Sequence, residues 1–530
     1  MLRTFSRAAV VLACVNVAVI SVLGGYDLGV AGLVAHNLFK PLQYLNGAVL
    51  LAMLAARKGA APVSRKAPFA SGAWFALALL LVTFAIYWSS LPLNFEHHDW
   101  THRHLSAGIS GIRGVLSLFV TPQADGFYRP LGFVSLWVDY RLFGQYFAGY
   151  HVQSLLLHAL NAFLAYRCFR ALGFSEWCSQ WSALLFCAAA VCFEPVIWPA
   201  ARFDLLAAAF LLAALLAAIE YMSGRASWRA LVLFAASYAA SLASKETAFA
   251  LPLMLGAAWA ARDFKLRNTR RMLHIGVTCA VLVAASFAVR LFLYGGPGGY
   301  GWQASASPHF ALGFKTIAAL LTRAFATPLL TINSAAFLPF WMRAAVIAFA
   351  AGSALAAWNA RAQSRSRQFA ILGLVLAAAV PVANIAGWIG PWAAGSRYLY
   401  LPALWLFLFI VSCVEGSRAA TPALALILMA NTAGALHHIA VLRDTLTRAD
   451  AAATAIRRAG TGSEEVQVSG IAPSAQLNGW LFFGEEIIER AQRNLPGARI
   501  SLSGSAPLSA SPGVARLRWD EAAGEIVRAP

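Results

Sequence analysis

Two carboxylates stand in the first long polar stretch of an otherwise apolar chain. Glu96 and Asp99 lie within residues 93–130, three positions apart, so one helical turn would place both on one face. A carboxylate beside a membrane surface can accept the proton of a hydroxyl group and so activate that hydroxyl as a nucleophile. The sequence therefore predicts a catalytic loop here. The alternative is a solvated loop whose acids pair only with its own His and Arg.

Four histidines surround Asp99 in this stretch, and they raise the question of a metal. They are His97, His98, His102 and His104. Imidazole and carboxylate groups together can ligate a divalent cation. The spacing matches no closed metal pattern, so a divalent metal is not favoured and no cofactor is predicted. Histidines in a loop can also contact an acceptor, and His98 is kept as a supporting residue for that reason.

The composition shows that transmembrane helices must position these carboxylates and histidines. The 530 residues are 60% hydrophobic and only 12% charged, with a mean hydropathy of +0.65. The apolar residues form blocks of roughly 18 to 23, the length that crosses a hydrocarbon core of about 30 Å as a helix. We therefore expect an α-helical polytopic membrane protein with about 13 transmembrane helices. The predicted spans are 8–24, 38–56, 71–92, 149–172, 179–197, 203–222, 229–243, 246–260, 272–293, 337–359, 368–388, 397–417 and 420–441.

The distribution of positive charge predicts the orientation. The formal net charge is +19, but Lys and Arg stand in short runs between the apolar blocks rather than along one stripe, which argues against nucleic acid. With 13 spans, the main basic clusters fall on the cytoplasmic side, as does the N-terminus. Residues 93–148 then lie on the outer face. The seven cysteines show no CxxC spacing, so no disulfide framework is expected.

Three regions follow from this pattern. They are an N-terminal transmembrane hairpin (1–66), a transmembrane catalytic region with the outer loop (67–442) and a small outer-face α/β domain (443–530). In the last region we expect a short amphipathic helix over 443–460, then a strand, a helix, a strand and a terminal strand pair. Residues 130–144 and 310–333 are interpreted as interfacial helices, and an apolar helix buried in the bundle is the alternative for 310–333.

Four cations in predicted outer turns or interfacial helices are candidates to bind a phosphate. They are Arg202, Lys245, Arg323 and Arg397. Arg offers a bidentate fork to phosphate and Lys a point charge, so a mixed set suits a departing phosphate. The alternatives are local. Arg202 would pair with Asp204, Lys245 would pair with Glu246, and Arg397 would anchor the interface beside Tyr398 and Tyr400. Asp125 and Asp139 are interpreted as ordinary polar residues of a loop and a helix.

Four segments together resemble a known family. They are residues 127–173 beginning FYRPLGF, the segment FEPVIWPAARFDLL (193–206), the segment SLASKETAFALPL (241–253) and the segment SRYLYLPAL (396–404). In order and spacing they are similar to segments of the TMTC-like O-mannosyltransferase group of GT-C glycosyltransferases. The matching residues include Arg129, Glu194, Arg202, Asp204, Lys245, Glu246, Arg397 and Tyr398, with Ala201 where that group has glycine.

The resemblance implies a GT-C-type bundle and an acidic catalytic residue in the first large outer loop. That loop reads FEHHDW here, which leaves Asp99 or Glu96 for the role, and Asp99 is favoured. It further implies an inverting transfer of a sugar from a polyprenyl-phosphate donor. The acceptor would be a hydroxyl of a cell-envelope glycan, lipid or protein, at the outer face of a bacterial inner membrane. The alternatives are an oligosaccharide ligase or polymerase, and a transporter or flippase of a lipid-linked sugar.

Overall fold

The structure is a computed structural model. It describes residues 2–23, 26–27, 34–35, 38–56, 67–95, 97–123, 126–261, 264, 266, 268–296, 298, 314–332, 338–361, 364–389, 395–461, 465–471, 477, 483–492, 499–503, 514–520 and 525–528.

The described part of the chain is mostly helical. Its α-helices are α1 (Leu2–Leu23), α2 (Phe39–Leu54), α3 (Gly72–Tyr87), α4 (His97–Ala107), α5 (Gly111–Ser117), α6 (Pro130–Phe143), α7 (Phe147–Ala171), α8 (Glu176–Cys187), α9 (Phe193–Ile197), α10 (Arg202–Met222), α11 (Trp228–Leu242), α12 (Leu251–Ala260), α13 (Thr269–Tyr294), α14 (Phe314–Ala326), α15 (Phe340–Asn359), α16 (Arg365–Ala379), α17 (Tyr400–Val414), α18 (Ala420–Gly460) and α19 (Phe483–Gln492). Short 3-10 turns precede α9, α10, α12 and α17, at Ala190–Cys192, Pro199–Ala201, Glu246–Ala250 and Ser396–Leu399.

Eight of the described helices are long and apolar enough to cross a membrane, or nine if the bent pair Glu176–Cys187 and Ala190–Ile197 forms one span. The chain is therefore an integral membrane protein. The other four predicted spans also coincide with helices, namely the 16-residue α2, the more polar α7, the 15-residue α11 and the apolar segment Glu246–Ala260. The count of 13 spans stays a prediction.

Helix α17 forms the centre of the bundle. All of its residues from Tyr400 to Val414 are buried, as expected for a helix that is apolar on every side. Helices α8 and α16 pack against it, and α7 packs against α8 and α10. Most of the charged candidates lie in the first turn of α10, in the 3-10 turn before α17, and at the start of the 3-10 turn before α12. The packing of these helices therefore decides which charges meet.

The last long helix differs from its prediction. A separate short helix was expected over residues 443–460, but those residues are the C-terminal part of the 41-residue α18. At about 1.5 Å per residue this helix is about 60 Å long, roughly twice the thickness of a hydrocarbon core. Ala449, Ala452 and Ile456 are buried against the C-terminal sheet, so the continuous helix joins the bundle to that sheet.

The C-terminal sheet has four strands in the order β4, β3, β5, β6. They are β3 (Glu465–Ser469), β4 (Arg499–Ser503), β5 (Val514–Asp520) and β6 (Glu525–Arg528). β3 pairs in parallel with β4 and β5, and β6 pairs antiparallel with β5, with Leu517 opposite Arg528. Helix α19 connects β3 to β4 and buries Ile487 and Ala491 in the same core. Earlier in the chain, β1 (Tyr26–Asp27) pairs antiparallel with β2 (Val34–Ala35).

Candidate active site

Asp99 is held against the main bundle by a backbone amide. It lies in the first turn of α4 and is buried, and its Oδ1 accepts a hydrogen bond of 2.6 Å from the N–H of Ala200. Ala200 belongs to the 3-10 turn that precedes α10, and Asp99 therefore lies beside the start of that helix. The structure thus brings the favoured catalytic carboxylate to the segment that also carries Trp198 and Arg202.

Glu194 and Arg397 form a second contact in this region. Glu194 Oε2 accepts a hydrogen bond of 2.9 Å from the backbone N–H of Arg397, and Glu194 Oε1 lies 2.5 Å from an Arg397 guanidinium nitrogen. The carboxylate thereby accepts a backbone hydrogen bond at the start of the 3-10 turn that leads into α17, where a negative charge is favourable. The Arg397 guanidinium also lies 4.7 Å from the ring centres of both Trp198 and Tyr398. Its position is therefore fixed from three sides.

Lys245 lies between α11 and the 3-10 turn that precedes α12. Its Nζ is 2.5 Å from Asp204 Oδ2 and 5.3 Å from the ring centre of Tyr398, so Lys245 and Arg397 contact the same tyrosine. Burial lowers the pKa of the Lys245 ammonium to about 8, while the Asp204 carboxylate raises it and the nearby positive charges of Arg129 and Arg397 lower it. Lys245 is consequently a cation whose charge state is sensitive to mildly alkaline pH.

Glu246 joins two arginines from distant parts of the chain. Its Oε2 is 2.7 Å from a guanidinium nitrogen of Arg129, and its Oε1 is 3.1 Å from one of Arg290. The Arg129 guanidinium also stacks over the Phe127 ring at 3.9 Å. One carboxylate between two cations leaves an excess of positive charge at this point.

Arg202 is occupied by protein groups. It is fully buried and pairs with the fully buried Asp139, and its other guanidinium nitrogen donates a 2.5 Å hydrogen bond to the backbone oxygen of Tyr150. Burial raises the pKa of the Asp139 carboxyl to about 6, although Arg202 lowers it. These contacts argue against a direct donor-phosphate contact by Arg202 and give it the role of holding α6, α7 and α10 together.

The exposure of the cations distinguishes those that a ligand can reach. The side chains of Arg397 and Arg129 are 19% and 15% exposed, and Lys245 is 8% exposed. Arg202 is 0% and Arg290 is 1% exposed. Arg397 and Arg129 can therefore meet an anionic ligand without a rearrangement. Lys245 exposes only a small part of its side chain, and Arg202 and Arg290 act through their neighbours.

The charged residues of four distant segments meet here. The contacts join Arg129 to Glu246, Asp204 to Lys245, and Glu194 to Arg397, across 117, 41 and 203 positions of sequence. We call these residues, with Asp99, Tyr398 and Arg290, the charge cluster. Four cations face three paired carboxylates, and Asp99 is joined to this group through Ala200, two positions after the Trp198 that contacts Arg397. This arrangement suits an anionic ligand with a nearby proton acceptor.

The remaining predicted site residues lie elsewhere or outside the described residues. Glu96 falls outside them, as do Asp125 and the side chain of His98. His102 packs its ring against Phe133 and Phe203, and His104 is exposed. Within the described ranges no group of three or more His, Cys, Asp or Glu is arranged to hold a metal ion. Arg323 is half-buried on α14, which packs against Val380–Trp388, and it is not among the residues of the contacts above.

Sequence reasoning missed two members of this region. Asp139 was interpreted as an ordinary polar residue, yet it is the buried partner of Arg202. Arg290 lies inside a predicted span and was not selected, yet it contacts Glu246. A lone ionisable residue within an apolar helix is usually paired and functional, and that signal was available for Arg290. For Asp139, no local pattern identified the partner.

The chain has structural similarity to solved proteins but matches no family model. No protein-family model matches the chain, and no curated protein matches it significantly. Among solved structures, it is similar to ArnT from Cupriavidus metallidurans bound to undecaprenyl phosphate, with 15% identity and a TM-score of 0.37 over 81% of this chain and 89% of that chain. The apo state of ArnT gives 17% identity and a TM-score of 0.40 over the same shares. Similarity at this level does not assign the chain to a family.

Proposed function

We propose that the chain is an inverting GT-C-type glycosyltransferase that moves a sugar from a polyprenyl-phosphate donor to a hydroxyl of a cell-envelope component. The observation that carries the proposal is the segment Trp198–Arg202. The ring of Trp198 lies under the Arg397 guanidinium, while the N–H of Ala200 holds Asp99. A proton acceptor and a cation accessible to phosphate are thus fixed by the same short turn.

The roles follow from these positions. Asp99 takes the proton from the acceptor hydroxyl, and the hydroxyl oxygen then attacks the anomeric carbon of the donor sugar. The bond between that carbon and the phosphate oxygen breaks, and the departing phosphate is held by Lys245 and Arg397. A single displacement inverts the configuration at the anomeric carbon. Arg129 adds positive charge beside Glu246, and Arg202 with Asp139 positions the helices.

The paired carboxylates explain how the cations stay in place before a donor arrives. Asp204, Glu194 and Glu246 each bind one or two of them, and Tyr398 contacts both Lys245 and Arg397. A site that is already oriented does not need to reorganise when negative charge develops on the leaving phosphate. The same segments carry the sequence resemblance to the TMTC-like group, which adds to the support for the proposal.

The test uses cells that lack the protein and cells that carry wild type, Asp99→Asn or Thr101→Val. Thr101 is exposed on the same helix and serves as the matched control. Mass spectrometry of envelope glycolipids, polysaccharides and glycoproteins should show one sugar-bearing product in wild type and the control. Asp99→Asn should lower that product by about 10² or more, the usual contribution of a general base. Full product in Asp99→Asn, in protein that inserts normally, would refute the assignment of Asp99.

A transporter of a lipid-linked sugar is the second candidate, and one observation favours it. The helices Glu176–Cys187 and Ala190–Ile197 form a pair bent by 51°, with Glu194 in the second helix, and broken spans are typical of transporters. A lipid-linked sugar that accumulates in null cells, without any change in glycan masses, would support this reading. An oligosaccharide ligase would instead move a product many sugars long.

A further inference from the structure

A cavity lies next to the helix that carries Asp99. Its volume is about 250 Å³, just below the roughly 300 to 1,000 Å³ of most ligand pockets. Asn94 and Trp100 line one side, and residues of α18 and α19 line the other. The cavity is therefore formed jointly by the proposed catalytic stretch and the C-terminal domain, and its size suits a sugar ring or a small anionic group.

One face of α18 supplies the polar lining. Asp450, Ala453, Thr454 and Arg457 stand at helical spacings of three, four and seven, so all four point to the same side. Within the part of the chain that the structure describes, neither the Arg457 guanidinium nor the Thr454 hydroxyl makes a hydrogen bond or an ion pair. Two polar groups that face a cavity without a protein partner are suited to bind a ligand.

The other charges of the cavity are already paired. Arg490 is almost fully buried, contacts Asp450 through one guanidinium nitrogen and donates a 2.7 Å hydrogen bond to the backbone oxygen of Phe95 through the other. This contact fixes the C-terminal domain to the residues just before the catalytic helix. Because Asp450 offsets Arg490, the positive charge of Arg457 remains and favours an anionic ligand.

Trp100 connects the cavity to the chemistry. It follows Asp99 in the sequence, its indole nitrogen donates to the backbone oxygen of Phe95 at 3.2 Å, and its ring packs edge-on against Phe95. A fixed aromatic ring is a suitable surface for the apolar face of a sugar. A group that binds against Trp100 therefore lies beside α4, the helix that carries the proposed proton acceptor.

We infer that this cavity binds the acceptor and that the acceptor carries a negative charge, as a phosphate or a carboxylate on its glycan or lipid headgroup. The inference rests on the proposed function and adds the class of acceptor. Arg457 pairs with the anion, Thr454 donates a hydrogen bond to it, and Trp100 stacks on the adjoining sugar. The C-terminal domain thus contributes to the binding of the acceptor.

The test uses the full-length protein in membranes, with donor lipid and an envelope extract of null cells as the acceptor source. Arg457→Gln is compared with Arg458→Gln, its exposed neighbour on the same helix that does not line the cavity. Arg457→Gln should raise the amount of extract needed for half-maximal transfer by roughly tenfold or more, since an ionic hydrogen bond is lost. Arg458→Gln should match wild type, and Arg457→Lys should restore part of the affinity.

Fractionation of the extract identifies the charge. The product should appear only with the fraction that binds an anion exchanger, and phosphatase treatment should abolish it if the anion is an exposed phosphate but not if it is a carboxylate. Equal transfer to the neutral fraction, or an Arg457→Gln variant indistinguishable from Arg458→Gln, would overturn the inference while wild-type transfer persists. Absence of transfer by wild type itself would instead count against the proposed function.

Discussion

The two ends of helix α10 carry ion pairs of opposite character. At its start, Arg202 pairs with Asp139 with both side chains fully buried, and Asp204 pairs with the buried Lys245. About 24 Å further along the helix, Glu220 pairs with Arg225, and these side chains are 33% and 50% exposed. The same helix thus has a buried and interconnected set of charges at one end and a solvated pair at the other.

The difference indicates which pairs serve function. A solvated pair is worth about 0 to 1 kcal/mol and costs little to maintain. A buried pair requires the desolvation of two ions, and replacement of both by apolar residues is often neutral or stabilising. Stability alone therefore does not account for several buried pairs at one end. A binding site for a charged ligand accounts for them, because such a site needs oriented cations in a region of low dielectric.

The largest effect on stability is expected from one half of the Arg202–Asp139 pair. Asp139→Asn leaves the Arg202 guanidinium buried without a counter-charge, which should lower the free energy of unfolding by about 3 to 5 kcal/mol. Thermal unfolding in detergent measures this change. Asp139→Leu with Arg202→Leu removes both charges and should recover much of the loss. If Asp139→Asn unfolds like wild type, the pair does not hold the helices together as described.

An intermediate effect is expected from the titration of Lys245. With a pKa of about 8, its ammonium is charged below that pH and loses its charge as the pH rises through it, so the donor phosphate should bind more weakly in alkali. Because Lys245 also holds the departing phosphate, kcat/KM for the donor should fall roughly tenfold between about pH 7 and pH 9 as the charged fraction of Lys245 decreases. Lys245→Arg keeps the charge throughout this range and should flatten the profile. A wild-type profile that stays flat over the same interval would argue against a contact between Lys245 and the phosphate.

The smallest effect is expected at the other end of α10. Arg225→Gln removes a solvated pair, so the free energy of unfolding should change by less than about 1 kcal/mol, and transfer should stay at the wild-type rate. Thermal unfolding and the envelope product of cells that carry this variant report the two quantities. A loss of transfer comparable to that of Asp99→Asn would abolish the distinction drawn between the two ends.

The two local ion pairs considered from the sequence, Arg202 with Asp204 and Lys245 with Glu246, did not form, and the local backbone geometry gives the reason. Arg202 and Asp204 are two positions apart on α10, and side chains at that spacing do not face each other on a helix. Lys245 has an extended backbone just before the 3-10 turn that begins at Glu246, and adjacent side chains of an extended chain point to opposite sides. Each residue instead pairs across the bundle, Arg202 with Asp139, Asp204 with Lys245, and Glu246 with Arg129 and Arg290. The residue types of the cluster were predictable, but their partners were not.

In the C-terminal region, too, the local elements were predictable from the sequence, but the way they connect was not. The strand over residues 465–469, the helix over 483–492 and the terminal strand pair occur where the alternation of apolar residues predicted them. The predicted break between the span over 420–441 and a helix over 443–460 was wrong, because both are parts of α18. The charged residues after position 442 had indicated a new helix. These charged residues lie on the part of α18 beyond the predicted membrane span. Outside the membrane a charged side chain carries no cost of burial in lipid. The domain boundaries and the placement of the domain outside the membrane stay predictions.

The sequence by itself determined that this chain is a helical membrane protein and where most of its apolar helices lie, because a span of apolar residues and its basic flanks are properties of contiguous sequence. It also identified most of the charged residues that converge, since charge is rare in so apolar a chain. Only the tertiary structure decided that Asp139 and Arg290 belong with them, that Arg202 is enclosed, and that α19 contacts Phe95 and α4. These facts depend on contacts between residues far apart in the chain, which the periodicity of any one segment does not encode.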